Sequence, residues 1–370
     1  MIVLCAGLRK FILEQVEKSI PFIAKLQEKR NFVLDTLFFI ITAIAGVGIY
    51  ATILPAILLF YPEKHYTEIA FGIVFTAYLN IMIGNFLKNW FACPRPYGDG
   101  IKHLKAEKDY GFPSTHTMNA IANTGFVVFA MTEGIEIRIA YFVYVVLVAI
   151  SRMYMGVHSP IDVLFGVIFG TINCIFMVNC YDVFLELHSQ VILLPVIFLI
   201  QCAILVILPR CYEYNVTPRR TAMISGCAFA ACFALAFNLH FTTTNILPAK
   251  EYAYYQMSRL GSLIFESIIS VAICLGIFGF IGFLIPSLIE KNIEKTPKLV
   301  KLCKKIEGVC VKYRLLSLKD DISEYRCDST MIRYIYEVPL AYFSGFIGGL
   351  CIVYVSPQLI LHMNPSMILN

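Results

Sequence analysis

Residues 139–180 read IAYFVYVVLVAI, then SRMYMGVHSPID, then VLFGVIFGTINCIFMVNC. Two apolar runs flank twelve residues that hold an arginine, a histidine and an aspartate. With their borders, about Ile137–Met155 and Ile161–Cys180, each run is close to the ~20 residues a helix needs to cross a bilayer. Lipid offers no partner to a backbone N–H or C=O, so such runs are helices rather than strands. The pair carries the chain across a membrane and back, leaving the polar link at one face.

The same pattern recurs along the chain. Further spans are expected at about Val33–Phe60, Ile69–Leu87, Thr117–Met131, Val191–Leu208, Ala222–Phe241, Leu263–Leu284 and Val338–Leu361. Thr117–Met131 is the weakest, because it contains Asn119, Asn123 and Thr124. The expected fold is therefore all-α, a polytopic helical membrane protein of about nine transmembrane helices built around a core bundle. The composition agrees: 58% of residues are hydrophobic and 15% charged, and the mean hydropathy is +0.73. Soluble domains average ~45–50% apolar and ~25% charged residues. A net charge of +5 then serves membrane orientation and substrate charge, and no nucleic-acid partner is expected.

Three regions follow. Residues 1–32 mix Arg9, Lys10, Lys18, Lys25, Lys29 and Arg30 with Phe11, Ile12, Ile20 and Phe22, as an interfacial amphipathic segment does. Residues 33–182 form the core, and residues 183–370 add transmembrane helices with a lysine-rich connector at 287–333. Met1–Leu8 is too short and too early relative to its charges for a cleavable leader. The thirteen cysteines include no Cys-x-x-Cys pair and mostly lie in apolar runs, so no metal site and no cofactor are expected.

Ionisable residues beside membrane segments are functional candidates by default, and here they fall in three clusters. The first, Lys88-Asn-Trp-Phe-Ala-Cys-Pro-Arg95-Pro96, ends the second span. The second, Gly111-Phe-Pro-Ser114-Thr115-His116, opens the third, and the third, Ser151-Arg152 to His158 and Asp162, links the fourth and fifth. Two crossings separate the second cluster from the third, so all three reach one membrane face. Arg95 and Arg152 can each grip phosphate oxygens bidentately, Lys88 adds a point charge, and Ser114 can donate its hydroxyl. A helix start adds free backbone donors for an anion. Two histidines can divide nucleophilic and acid–base work, and an aspartate four residues after one of them can orient its ring.

Taken singly, these residues have plainer readings. Ser159-Pro160-Ile161-Asp162 is a capped helix start, and cations at helix ends often anchor to headgroups. Their joint occurrence favours chemistry. His65, His103, His188, His240 and His362 have no partner pattern. Glu266, in the eighth span, has no role in this scheme.

The clusters resemble the signature of the type 2 phosphatidic acid phosphatase superfamily, K-x(6)-R-P, P-S-G-H and S-R-x(5)-H-x(3)-D. Lys88, Arg95, Pro96, Pro113, Ser114, His116, Ser151, Arg152, His158 and Asp162 match it. The resemblance implies that His158 attacks phosphorus, Asp162 orients it, His116 serves the leaving group, and Lys88, Arg95, Ser114, Thr115 and Arg152 bind phosphate. Thr115 replaces the usual glycine and narrows the approach. PSTH, SRMYMGVHSPID and the preceding acidic-Tyr-Gly stretch look most like the sphingosine-1-phosphate (long-chain base phosphate) phosphatase branch. That implies a phosphorylated lipid substrate and a multi-pass endoplasmic reticulum location. Glucose-6-phosphatase-like or broad phosphatidate phosphatase activity is the alternative, and a non-catalytic scaffold or transporter is the reading from another class.

Orientation is contested by two expectations. All of the 30 Lys and Arg except Lys64, Arg138, Lys250 and Arg259 fall on the face of the motifs, which the positive-inside rule places in the cytosol. The resemblance implies a lumenal site. Asn215-Val-Thr217 on that face is a possible glycosylation sequence.

Overall fold

Segments that cannot hydrogen-bond to their surroundings close their bonds internally, and the apolar segments among the described residues do so as helices. The computed structural model describes residues 2–53, 64–104, 107, 109–131, 134–209, 211, 215–241, 288, 301, 305 and 329–350, and among these no strand occurs. In chain order the helices are α1 (Ile2–Lys18), α2 (Ile20–Gln27), α3 (Phe32–Ile44), α4 (Lys64–Phe91), α5 (Thr115–Met131), α6 (Ile135–Tyr154), α7 (Pro160–Ser189), α8 (Leu194–Ile207), α9 (Thr217–Phe241) and α10 (Ser329–Leu350). A π-helical turn at Ile49–Ile53 follows α3, and a 3-10 turn at Val191–Leu193 precedes α8.

Among the described residues, three segments are long and apolar enough to cross a membrane: Phe32–Ala51, Glu68–Phe91 and Pro160–Ser189. They play different parts. In the most apolar window of Phe32–Ala51, 11% of residues are buried, against 83% for Glu68–Phe91. Helix α4 is therefore the centre of the bundle. The outer helices present an apolar surface, with Val33, Phe39, Phe142, Val146, Ile172, Ile175, Leu199 and Ile207 all exposed. Such a belt is stable only against lipid or another apolar surface, and the protein is a membrane protein.

Several boundaries depart from the sequence expectation. The first span is not one helix to Phe60: α3 starts on Asn31, whose side chain accepts from Leu34 N at 3.0 Å, and ends at Ile44 ahead of the π-helical turn. Helices α4 and α7 run 28 and 30 residues, longer than their apolar middles, because a helix continues until a cap or breaker stops it. The expected span Leu263–Leu284, Glu266, nearly all of the 287–333 connector and the end of the ninth span lie outside the described residues.

The polar residues that weakened the third span face inward. Thr124 bonds Tyr50 at 2.8 Å, which also meets Tyr144 at 3.1 Å, and Asn123 donates to Asn119 at 3.4 Å. Asn173 of α7 donates to Asn80 of α4 at 2.7 Å, and Asn85 of α4 to Thr221 of α9 at 2.8 Å. Interhelical bonds of this kind join helices where apolar burial cannot. Helices α9 and α10 meet through small residues: a Cβ on Gly226 would stand 2.0 Å from Tyr342 O, and one on Gly345 1.9 Å from Met223 O.

The N-terminal segment docks on the bundle as well as being amphipathic. Ile12 and Val16 are buried with Phe91, Cys93 and Phe112, and Arg9 Nε donates to Phe91 O at 2.7 Å.

Candidate active site

Each cluster is fixed by local structure before it meets the others. Lys88 sits in the last turn of α4, fully buried. The loop after α4 brings Arg95 back toward the helix end. Ser114 immediately precedes α5 and Arg152 lies in the last turn of α6. Gly156 then takes φ +72°, where a Cβ would press on Gln27 Nε2, Ile101 Cγ2 and Lys102 O at 3.0 Å. That turn delivers His158 to the start of α7. Ser159 caps α7, with Asp162 Oδ2 accepting from Ser159 N at 2.8 Å and Ser159 Oγ accepting from Asp162 N at 3.4 Å.

Direct bonds join the clusters. Arg95 Nη1 donates to Val157 O at 2.6 Å and contacts His158 Nε2 at 3.2 Å. Ser114 N donates to Asp162 O at 3.0 Å, and Gly111 N to Cys93 O at 2.9 Å. The predicted site residues thus converge within one constellation. His158 and Asp162 are fully buried, as are Ser114 and Arg152, while His116 is partly exposed. Thr115 aims its Cγ2 methyl at Gly84 of α4, where a Cβ would lie 2.5 Å away.

The electrostatics decide the state of His158. An arginine only donates, so Nε2 facing Arg95 carries the lone pair and Nδ1 the proton. Burial, then the charges of Arg95, Arg152 and Lys88, hold the imidazole well below its ordinary value of 6.5, so it is neutral. Nδ1 lies 3.7 Å from Asp162 Oδ2, longer than a hydrogen bond. Asp162 makes the capping contacts outright, while its orienting hydrogen bond to His158 is not formed in this structure.

Arg152 is the anomaly. None of its three guanidinium nitrogens has a hydrogen-bond partner, and the side chain is fully buried. Lys88 and Arg95 are engaged differently. Asp109, 7% exposed, accepts from Lys88 Nζ at 3.0 Å and from Arg95 Nη2 at 2.5 Å. Lys88 also donates to Tyr110 O at 2.7 Å, and Arg95 Nε to Asp109 O at 3.0 Å. Burial alone would raise the Asp109 carboxyl, but Lys88, Arg95 and Arg220 hold it well below the usual carboxylate range. Arg220, from α9, reaches Asp109 at 3.5 Å and Glu107 at 3.8 Å. Sequence reasoning used Asp109 only as part of an acidic-Tyr-Gly resemblance and did not find Glu107 or Arg220.

Asn215 is also reassigned. It is buried, and its Nδ2, the atom that would carry a sugar, donates to Asn89 Oδ1 at 3.1 Å. The sequon is built into the helix junction and is closed to modification in the folded protein.

A helical membrane bundle whose polar face gathers two histidines, three buried or nearly buried cations and a capped helix start is an anion-handling site. Residues 69–186 match the PAP2 superfamily, and the chain carries a domain of that superfamily. It is 28% identical over 181 residues to lipid phosphate phosphatase delta of Arabidopsis thaliana, covering 45% of this chain and 42% of that protein. A probable sphingosine-1-phosphate phosphatase of Dictyostelium discoideum is 31% identical over 178 residues, 44% of this chain and 42% of the relative. A dihydrosphingosine 1-phosphate phosphatase of Schizosaccharomyces pombe is 31% identical over 199 residues, 50% and 47% of the two chains. The chain therefore spans less than half the length of these relatives. The matched region ends before Arg220, so that residue is a contribution from outside the superfamily domain.

Proposed function

We propose that the protein is a lipid phosphate phosphatase that acts on sphingoid (long-chain) base phosphates through a phosphohistidine at His158. The observation that carries this reading is the buried, unpartnered guanidinium of Arg152 beside a neutral histidine whose lone pair lies on Nε2. Asp109 and Glu107 act on Arg152 only at a distance; a buried guanidinium without hydrogen bonds is costly, and a phosphoryl group supplies the missing acceptors.

In this scheme Lys88, Arg95 and Arg152 hold the equatorial oxygens. Ser114, which accepts from Thr117 Oγ1 at 2.9 Å, keeps its own O–H to donate. His158 Nε2 attacks in line: the Nε2–P bond forms as the P–O bond to the lipid breaks. His116 gives its proton to the departing alkoxide, and Asp162 balances the positive charge that develops on the His158 ring. Water then attacks phosphorus, His116 takes its proton back, and the P–N bond breaks to release phosphate. Catalysis here is positioning and electrostatic stabilisation of the transferred group.

The sphingoid assignment draws on the names of two relatives and on the PSTH and SRMYMGVHSPID forms. An endoplasmic reticulum membrane with nine spans is part of the same proposal. The test is phosphate release by the purified protein in the presence of a chelator, comparing sphingosine 1-phosphate, phosphatidate and glucose 6-phosphate. Selective release from the sphingoid substrate, lost in His158→Ala, is expected. Release that survives His158→Ala, or that needs added metal, overturns the mechanism; preference for another substrate overturns the branch.

A further inference from the structure

The mechanism leaves two buried carboxylates, Asp109 and Glu107, without work. Asp109 is wedged against Lys88 and Arg95, two of the cations assigned to phosphate. A carboxylate there opposes a dianion, since like charges brought together inside an interface cost several kcal/mol. A site for phosphate alone gains from it only the positioning of Lys88 and Arg95.

Its solvent side gives the clue. Arg220 approaches Asp109 from α9 with its side chain 49% exposed, at 3.5 Å to Asp109 and 3.8 Å to Glu107. Contacts that long, made by a half-exposed guanidinium to buried carboxylates, hold Arg220 only loosely. Asp109 therefore has an inner face bound to the phosphate cations and an outer face that accepts a loosely held cation from the entrance. Lys88, Arg95 and Arg152 carry three positive charges against the two negative charges of Asp109 and Glu107, the two buried carboxylates that act on them. A phosphate dianion exceeds that surplus by one charge and leaves a site that can balance one more positive charge, close to the phosphate.

We propose that Asp109 selects substrates that carry an ammonium group beside the phosphate, pairing with it as Arg220 gives way. This deepens the sphingoid reading and rests on it. A sphingoid base phosphate bears its amine on the carbon next to the phosphate ester, within reach of a carboxylate that shares the phosphate's own cations. Glycerol-based and N-acylated phosphates have no such charge. Asp109 is thus a specificity residue, and Arg220 occupies the amine position in the substrate-free protein.

The test compares sphingosine 1-phosphate with its N-acetyl derivative, which keeps the chain and phosphate and removes the charge. A charge-assisted pair predicts that the wild type prefers the free amine by about ten- to a hundredfold in kcat/KM. Asp109→Asn should bring that ratio close to one, chiefly by losing the free-amine substrate. Equal turnover of both by the wild type overturns the proposal. So does an Asp109→Asn protein that slows both alike, which would make Asp109 only a support for Lys88 and Arg95. If Asp109→Asn does not fold, Arg220→Gln decides: freeing the outer face should raise the preference for the amine, and an unchanged or lower preference overturns the assignment. A wild type that releases phosphate from neither substrate overturns the phosphatase reading itself.

Discussion

Arg152 brings a fully buried guanidinium to the end of α6 with no hydrogen-bond partner on any nitrogen. Stability and activity should therefore oppose each other at this position. Arg152→Met removes the buried, non-hydrogen-bonded guanidinium at similar length and is expected to raise the melting midpoint in detergent, by the equivalent of about 1–3 kcal/mol, while cutting kcat at least a hundredfold. Arg152→Lys should also lose most activity, because an ammonium cannot reproduce the two-pronged grip. His158 gives a pH signature. Its folded-state pKa is depressed below 6.5, first by burial and then by Arg95, Arg152 and Lys88. The unfolded chain therefore takes up a proton that the folded one refuses. Stability from this group is complete above pH ~6.5 and declines below it by at most about 1.4 kcal/mol per pH unit. Melting midpoints from pH 7.5 to 5.5 should fall in the wild type and fall less in His158→Gln. At this scale the three motifs were legible because their spacing places them at helix ends. Asp109 was not, because no periodicity links a loop acid to Lys88 and Arg95, 21 and 14 residues before it.

At the scale of elements, hydropathy located the cores of the helices and missed their lengths. The apolar middle of α7 is visible in sequence, but its extension to Ser189 is not, since polar residues such as Asp182 and Glu186 continue a helix as readily as they end it. Its start was legible, because Ser159, Pro160 and Asp162 form a capping box with a physical reason for each residue. The α9–α10 contact needs partner information that one sequence does not hold. Gly226 and Gly345 bring the two backbones together so closely that any Cβ must displace a carbonyl. Gly226→Ala or Gly345→Ala is expected to lower stability by more than about 2 kcal/mol, seen as a drop in melting midpoint, whereas Gly7→Ala, with nothing within 4 Å of the added carbon, should be nearly silent.

For the whole molecule, docking of α1 and α2 sets the N-terminus on the face of the active site. Gln27 donates to Lys102 O at 2.9 Å and Tyr154 O at 2.6 Å, and accepts from Lys102 N at 2.8 Å. Arg138 and Arg152, at opposite ends of α6, fall on opposite faces. An epitope before residue 1 and one inserted beside the exposed Tyr97 should be protected, or digested, together in sealed microsomes, while one at 132–133 behaves oppositely. Whether that pair or the third epitope is protected also settles the conflict between charge bias and the superfamily resemblance. The convergence of the motifs was readable from counting crossings; the clasp of the N-terminal helices was not, because an amphipathic helix reads alike whether it lies on lipid or on protein.

The central claim is that His158 carries the phosphoryl group. Rapid quenching of the purified protein with [32P]sphingosine 1-phosphate should trap label on the chain, stable in alkali and lost in acid, as a phosphorus–nitrogen bond behaves, and located in the peptide holding His158. Label in His158→Ala, or label that is acid-stable, would contradict the account.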